Sequence, residues 1–231
     1  MLPHALYTRL PRGFQLTFDM QIVVVGGHAR NIGKTSVMCG LLRGLEQLGW
    51  TAVKISPYGH GIRSADGHKC SSESDEHHFV LTEEKNARGR GDTCRFLAAG
   101  ARRALWLRVR EGQLAEAFPV LMRALAGAAW VLIESNSILD FLNPALYIAV
   151  LDGSNPDFKA SARRLLGRAD ALAAVGPRFH PGAWPGIEPC LIEGKPVFRV
   201  AAPDYFNPDL CRFIRERTSH HLPTPPLQAE A

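Results

Sequence analysis

Apolar residues fall along this chain in two alternating rhythms. The run QIVVV at 21–25 is continuous and β-branched, as a strand buried on both faces requires. A glycine-rich turn follows over 26–33. Then Val37, Leu41, Leu42, Leu45 and Leu48 recur at helical spacing and predict a helix over 34–48, which Gly49 stops. Further strands are predicted over 51–55, 104–109, 130–134, 146–151, 171–175 and 196–200. Helices are predicted over 92–103, 113–125, 158–166 and 208–218, with Asp92 or Thr93 as an N-cap and Pro119 as a possible kink. Short strands alternating with helices imply βαβ units: an α/β fold with a mostly parallel central sheet flanked by helices. Such sheets present ligands at the carboxyl ends of their strands. No internal repeat is present.

One stretch breaks the rhythm. Residues 56–91 are polar and rich in His, Ser, Glu and Gly, a length of loop that in compact domains usually serves function or moves. The expected organisation is an extension over 1–20, a single domain over 21–218 containing that loop, and a disordered tail over 219–231. Arg9, Arg12 and Gln15 interrupt the apolar character of the extension, so it does not read as a signal peptide. No apolar run is long enough to span a membrane.

Composition adds little to this. The 231 residues are 46% hydrophobic and 21% charged, an ordinary globular balance. The formal charge is +5, from 6 Lys and 21 Arg against 22 acidic residues, which suits an anionic partner. The arginines are scattered with no aromatic–basic patch or recognised motif, so nucleic acid is not expected. The five cysteines (Cys39, Cys70, Cys94, Cys190, Cys211) are odd in number and lack C-x-x-C spacing. A disulfide scaffold is therefore not expected, and a reducing cytoplasm is. Cys39 and Cys94 read as small buried helix residues.

The chemistry concentrates in Gly26-Gly27-His28-Ala29-Arg30-Asn31-Ile32-Gly33-Lys34-Thr35-Ser36, between a predicted buried strand and a predicted helix. That is the context of a phosphate-binding loop. Successive backbone N–H groups and the helix N-terminus attract an anion. Lys34 is placed to reach the β- and γ-phosphates, and the Thr35 hydroxyl to ligate Mg²⁺. The spacing is G-x5-G-K-T, counted from Gly27, one residue longer than the usual loop. Gly27 through Ser36 are accordingly the expected nucleotide-binding residues.

With these residues in view, the chain resembles P-loop NTPases of the dethiobiotin synthetase and MinD-like class. Within that class it is most similar to the GTP-binding B-type adaptors of molybdopterin-guanine dinucleotide biosynthesis. The long loop is similar to that of dethiobiotin synthetases. Val53-Lys54-Ile55-Ser56-Pro57-Tyr58-Gly59-His60-Gly61 looks like the adaptors' Lys-plus-His strand end. Gly91-Asp92-Thr93-Cys94-Arg95 through Ala101 is similar to their Asp-Ser/Thr-x-Arg…Ala-Gly-Ala helix, and Val131-Leu132-Ile133-Glu134 to their Walker B-like strand. Ser135, Asn136 and Ser137 then stand where the adaptors usually carry Gly, an aromatic and a basic residue. The resemblance covers roughly 21–176. It implies a three-layer P-loop NTPase fold, a homodimer, and a phosphate or substrate contact for Lys54.

Glu134 ends an apolar strand at the ligand edge, where a carboxylate can hold Mg²⁺ or orient an attacking group. Lys34 and Glu134 are thus the expected catalytic pair, and Thr35, Glu134 and Asp92 the expected metal ligands. Lys54 is otherwise a lysine leaving the sheet, and Asp92 and Arg95 a helix cap and an exposed helical side chain. Asp152 reads as a turn carboxylate. Arg30 faces either phosphate or solvent. No Asn-Lys-x-Asp is present, so ATP and GTP stay equally open. His60, His68, Cys70, His77 and His78 cluster without a known zinc spacing, and read as a polar loop rather than a metal site. The functions in view are Mg-nucleotide hydrolysis or γ-phosphate transfer to a small acidic substrate, as in a dethiobiotin-synthetase-like kinase or ligase, and a nucleotide-dependent adaptor that loads a partner protein in molybdenum cofactor assembly.

Overall fold

The computed structural model describes residues 20–58 and 78–218. Their elements run β1 (Gln21–Gly27), α1 (Lys34–Gly44), β2 (Thr51–Tyr58), β3 (Phe79–Glu83), α2 (Asp92–Ala98), β4 (Arg103–Arg110), α3 (Leu114–Ala124), β5 (Trp130–Glu134), β6 (Leu146–Asp152), α4 (Ala160–Leu165), β7 (Ala171–Val175), β8 (Val197–Val200) and α5 (Pro208–Thr218). The strands form one sheet ordered β3-β4-β2-β5-β1-β6-β7-β8. All neighbours are parallel except β3, which pairs antiparallel with β4 at the edge.

Three layers result because the central strands have no polar face. Along β1, Val23 and Val25 pack into one core with Leu42 of α1, Phe96 of α2 and Ile214 of α5. Ile22 and Val24 pack into the other with Leu121 of α3, Leu165 of α4 and Trp184. A continuous apolar run is what a parallel sheet covered on both sides demands.

Several expectations change. The stretch 56–91 is not loop throughout: β2 continues to Tyr58, and Phe79–Glu83 forms the antiparallel edge strand. Phe79 and Leu81 pack on the core while Val80 and Thr82 stay exposed, an alternation hidden by the polar surroundings. The helix expected over 34–48 ends at Gly44, and a 3₁₀ turn over Glu46–Leu48 precedes the left-handed Gly49. The helix expected over 92–103 stops at Ala98, because Gly100 turns left-handed (φ 98°) and Arg103 already pairs in the sheet. Its cap is Gly91, not Asp92 or Thr93. α4 is likewise shorter than expected, passing into a 3₁₀ turn. α3 runs through Pro119 to Ala124. The expectations for the extension before residue 20, for His60, His68, Cys70 and His77, and for the tail from 219 lie outside the described residues. Among those described, no helix is long and apolar enough to cross a membrane, and no three His, Cys, Asp or Glu residues group as a metal site.

Candidate nucleotide-binding site

Sheet register assembles the site. Val25, Glu134 and Lys54 lie in one row across β1, β5 and β2, on the face that carries α1. Neighbouring strands are about 4.8 Å apart, so the end of β1, the Glu134 carboxylate and the Lys54 stem sit side by side. The loop over 27–33 turns off β1 there, and α1 brings Thr35 and Ser36 above the row.

The charged part is one connected network. The Thr35 hydroxyl donates to Glu134 Oε2 at 2.7 Å. Lys54 Nζ donates to Glu134 Oε1 at 3.1 Å, to Thr35 Oγ1 at 3.3 Å, and to the Asp92 carboxylate. Arg95 pairs with Asp92 at 3.5 Å and donates to the Ser36 hydroxyl at 2.9 Å. Thus Lys54, Thr35, Glu134 and Asp92 meet, and Arg95 and Ser36 join at the margin. Burial alone would lower the Lys54 pKa, but Glu134 and Asp92 outweigh it, so the ammonium is held charged.

Lys34 differs. Its Nζ folds back and donates to the Ala29 carbonyl at 2.6 Å, with no carboxylate of the described residues in contact. Burial lowers its pKa to about 8; Glu134 opposes the fall, and Lys159 and Lys54 add to it. A desolvated ammonium without a counter-ion is poised for an anion.

The loop itself is shaped by Gly33, which is left-handed (φ 88°) and packs against the Tyr205 ring, so a Cβ there is strained and crowded. Asn31 is also left-handed (φ 56°). Ala29 and Ile32 are buried, whereas Arg30 and Asn31 are exposed. The segment carrying Tyr205 is tied to α1 by Arg43, which donates to the Asp204 carbonyl at 2.7 Å.

His28, expected among the nucleotide contacts, turns the other way. Its ring is fully buried between Phe158 and Trp184. The Asp152 N–H donates to Nε2 at 3.0 Å, so Nδ1 carries the proton and donates to the Asp157 carbonyl at 2.6 Å. Burial lowers its pKa, and with Nε2 occupied a second proton has no place. The His28 N–H is also used, donating to the Val150 carbonyl at 3.3 Å. The extra residue of the loop is therefore an anchor into β6. Asp152 caps a local turn, accepting from the Ser154 N–H and hydroxyl at 2.9 and 2.6 Å.

Sequence reasoning missed two residues. Asn136 brackets Gly27: its Oδ1 accepts the Gly27 N–H at 2.9 Å and its Nδ2 donates to the Gly27 carbonyl at 3.0 Å. A Cβ on Gly26 would collide with that amide. The signal available was Asn136's place just after Glu134 at the ligand edge. Lys159 binds the His28 carbonyl through its N–H at 2.8 Å, and burial and Arg30 lower the pKa of its ammonium. No motif marked it. Cys39 and Cys94 are buried as expected.

No family model matches the chain, and neither does any curated protein. Among solved structures it is similar to HypB from Helicobacter pylori in complex with nickel, at 13% identity and TM-score 0.49, over 87% of this chain and 89% of that one. It is similar to LpxK from Aquifex aeolicus in complex with ATP, at 15% identity and TM-score 0.46, over 79% of this chain but 54% of that one. The signal recognition particle receptor FtsY from Elizabethkingia anophelis in complex with GDP follows at 13% identity and TM-score 0.40, over 90% and 66%.

Proposed function

We propose that the chain is a Mg-nucleotide-binding P-loop NTPase that hydrolyses or transfers the γ-phosphate of GTP or ATP. The observation that carries this reading is the pairing of an uncompensated Lys34 with a compensated Lys54 on either side of Thr35. A bound triphosphate supplies the anion that Lys34 lacks. Around the Lys54 ammonium stand the Thr35 hydroxyl, the Glu134 carboxylate and an Asp92 oxygen, a set of hard oxygens already gathered about a positive charge. That donor set fits Mg²⁺, with Thr35, Glu134 and Asp92 as its holders. The ion, when bound, neutralises charge on the β- and γ-oxygens. In this reading Lys34 and the loop N–H groups hold the transferred phosphoryl group, and Glu134 orients the attacking group. Lys54, freed from the carboxylates, adds its charge to the terminal phosphate.

In this reading the base enters a cleft at the ends of β7 and β8, lined by Gly176, Pro177, Val200, Ala202, Asp204 and Phe206. The molybdopterin role implied by the resemblance rests on the resemblance alone. The test is calorimetry with Mg-ATP and Mg-GTP, followed by phosphate release with and without small acids. Saturable binding of one of them, with turnover, is expected. Failure of both nucleotides to bind at any accessible concentration overturns the reading.

A further inference from the structure

β2 and β4 run on beyond the phosphate loop. Lys54 is level with Glu134, yet β2 continues to Tyr58 and β4 to Arg110. At about 3.3 Å per residue, Ser56 and its cross-strand neighbour Arg108 stand about 7 Å past Lys54. Trp106 is opposite Lys54, Arg108 opposite Ser56 and Arg110 opposite Tyr58. By alternation these side chains share the face of Ala52 and Ala104, which packs against Phe96 of α2. α2 begins at Asp92, beside Lys54, so no described helix covers the sheet above that level.

What this strip presents is cationic, and no carboxylate among the described residues pairs with it. The Arg108 guanidinium lies over the Trp106 ring, 4.8 Å from its centroid, and the indole N–H donates to Ser56 Oγ at 3.2 Å. Arg108 Nε is buried with no hydrogen-bond partner among the described residues. Several arginines of the domain are engaged, among them Arg103 with Glu83, Arg164 with Asp140 and Arg168 with the Leu139 carbonyl. A buried donor left unpaired is costly, and each such group asks what pairs with it. A guanidinium stacked on an indole keeps its in-plane donors available, a fork that matches a carboxylate or a phosphate.

We propose that this strip is an oxyanion subsite. Arg108, with Arg110 at the rim and Trp106 as the apolar floor, takes the carboxylate or phosphate group of a small organic molecule. One side-chain length from Lys54, that molecule meets the nucleotide's terminal phosphate. Only this last clause rests on the function proposed above.

Benzoate and phenyl phosphate are suitable probes, measured by saturation-transfer NMR on the full chain. Both bind the wild-type chain weakly, and their relative affinity tells carboxylate from phosphate. Arg108→Gln weakens binding at least about tenfold. Arg110→Gln, a change at an exposed position, weakens it about threefold and decides the matter if Arg108→Gln fails to fold. Lys34→Ala leaves probe binding unchanged. Absence of binding to the wild-type chain overturns the subsite. So does equal affinity in a folded Arg108→Gln, or in Arg110→Gln where Arg108→Gln does not fold, and so does loss of binding in Lys34→Ala, which puts the anion on the phosphate loop. Nucleotide affinity measured on the same samples separates the two ideas: a chain that binds no nucleotide but shows Arg108-dependent probe binding keeps the subsite and loses the NTPase reading.

Discussion

Where His28 and Asn136 meet it, the loop over 27–33 is fastened by neutral groups satisfied by backbone, whereas on its β2 side it is bordered by charges held mainly by one another. His28 and Asn136 spend their polar atoms on backbone N–H and carbonyl groups of other segments, and the His28 ring is closed in by Phe158 and Trp184. Lys54, Asp92, Glu134, Thr35 and Arg95 instead exchange charge-assisted bonds around a partly open mouth. Neutral, saturated contacts in a core have nothing to gain from a ligand and fix the loop's position. Charges in a mouth can be re-partnered by a metal ion and a phosphate at little cost, since they exchange one set of charge-assisted bonds for another. The first flank should therefore govern stability and the second binding and turnover.

The largest effect expected on the charged flank is from Lys34→Ala. Removing this buried ammonium, which has no carboxylate partner among the described residues, should weaken Mg-nucleotide binding at least about a hundredfold, about 2.7 kcal/mol, in calorimetry. The melting temperature of the nucleotide-free chain should hold or rise, because a desolvated charge is removed. Unchanged nucleotide affinity would detach the loop from phosphate binding.

Glu134→Gln comes next. The amide keeps the size of the side chain and can still accept from Thr35 or Lys54, but loses the charge. Turnover should drop about ten- to a hundredfold while nucleotide affinity shifts by less than about threefold. Equal loss in both, or none in turnover, would make Glu134 a strand-end residue that supports Lys54 only.

On the neutral flank, Asn136→Ala leaves the Gly27 N–H and carbonyl without partners at the base of the loop. A loss of about 1–3 kcal/mol in chemical denaturation is expected, in chains with and without nucleotide alike. A variant that loses affinity but no stability would move Asn136 from the fastener to the binding machinery.

What the sequence made legible follows the same division. The loop, its Lys34 and Thr35, and Glu134 at the end of β5 are spaced locally, so strand–turn–helix periodicity found them. The row Val25–Glu134–Lys54 depends on β5 inserting between β1 and β2, a pairing across more than seventy residues for which only the family resemblance gave a hint. Asn136 and Lys159 act through hydrogen bonds to backbone groups, which leave no composition or period to read. β3 was missed because its two outward positions, Val80 and Thr82, lie in a polar stretch and only its two inward residues touch the core. Arg108 read as an ordinary strand residue, and nothing in ALWLRV tells which face it takes.

The smallest effect expected is also the one that most sharply separates the flanks. His28 is held neutral, its pKa lowered from 6.5 chiefly by burial, with Asp152 opposing the fall and Lys34 adding to it. The unfolded chain takes up a proton as the pH falls below 6.5, whereas the folded chain does not until its lower value is passed. His28's contribution is therefore complete above pH 6.5 and is lost as the pH falls, by about 1.4 kcal/mol per pH unit across that window. His28→Phe keeps the ring between Phe158 and Trp184 but cannot titrate. It should be less stable at pH 7.5, having orphaned the Asp152 N–H, and should lack this part of the acid slope, so the two stability profiles converge as the pH drops. Parallel wild-type and His28→Phe profiles from pH 7.5 to 5 would show that His28 takes up its proton as readily in the folded chain as in the unfolded one, and would remove it from a neutral, closed flank.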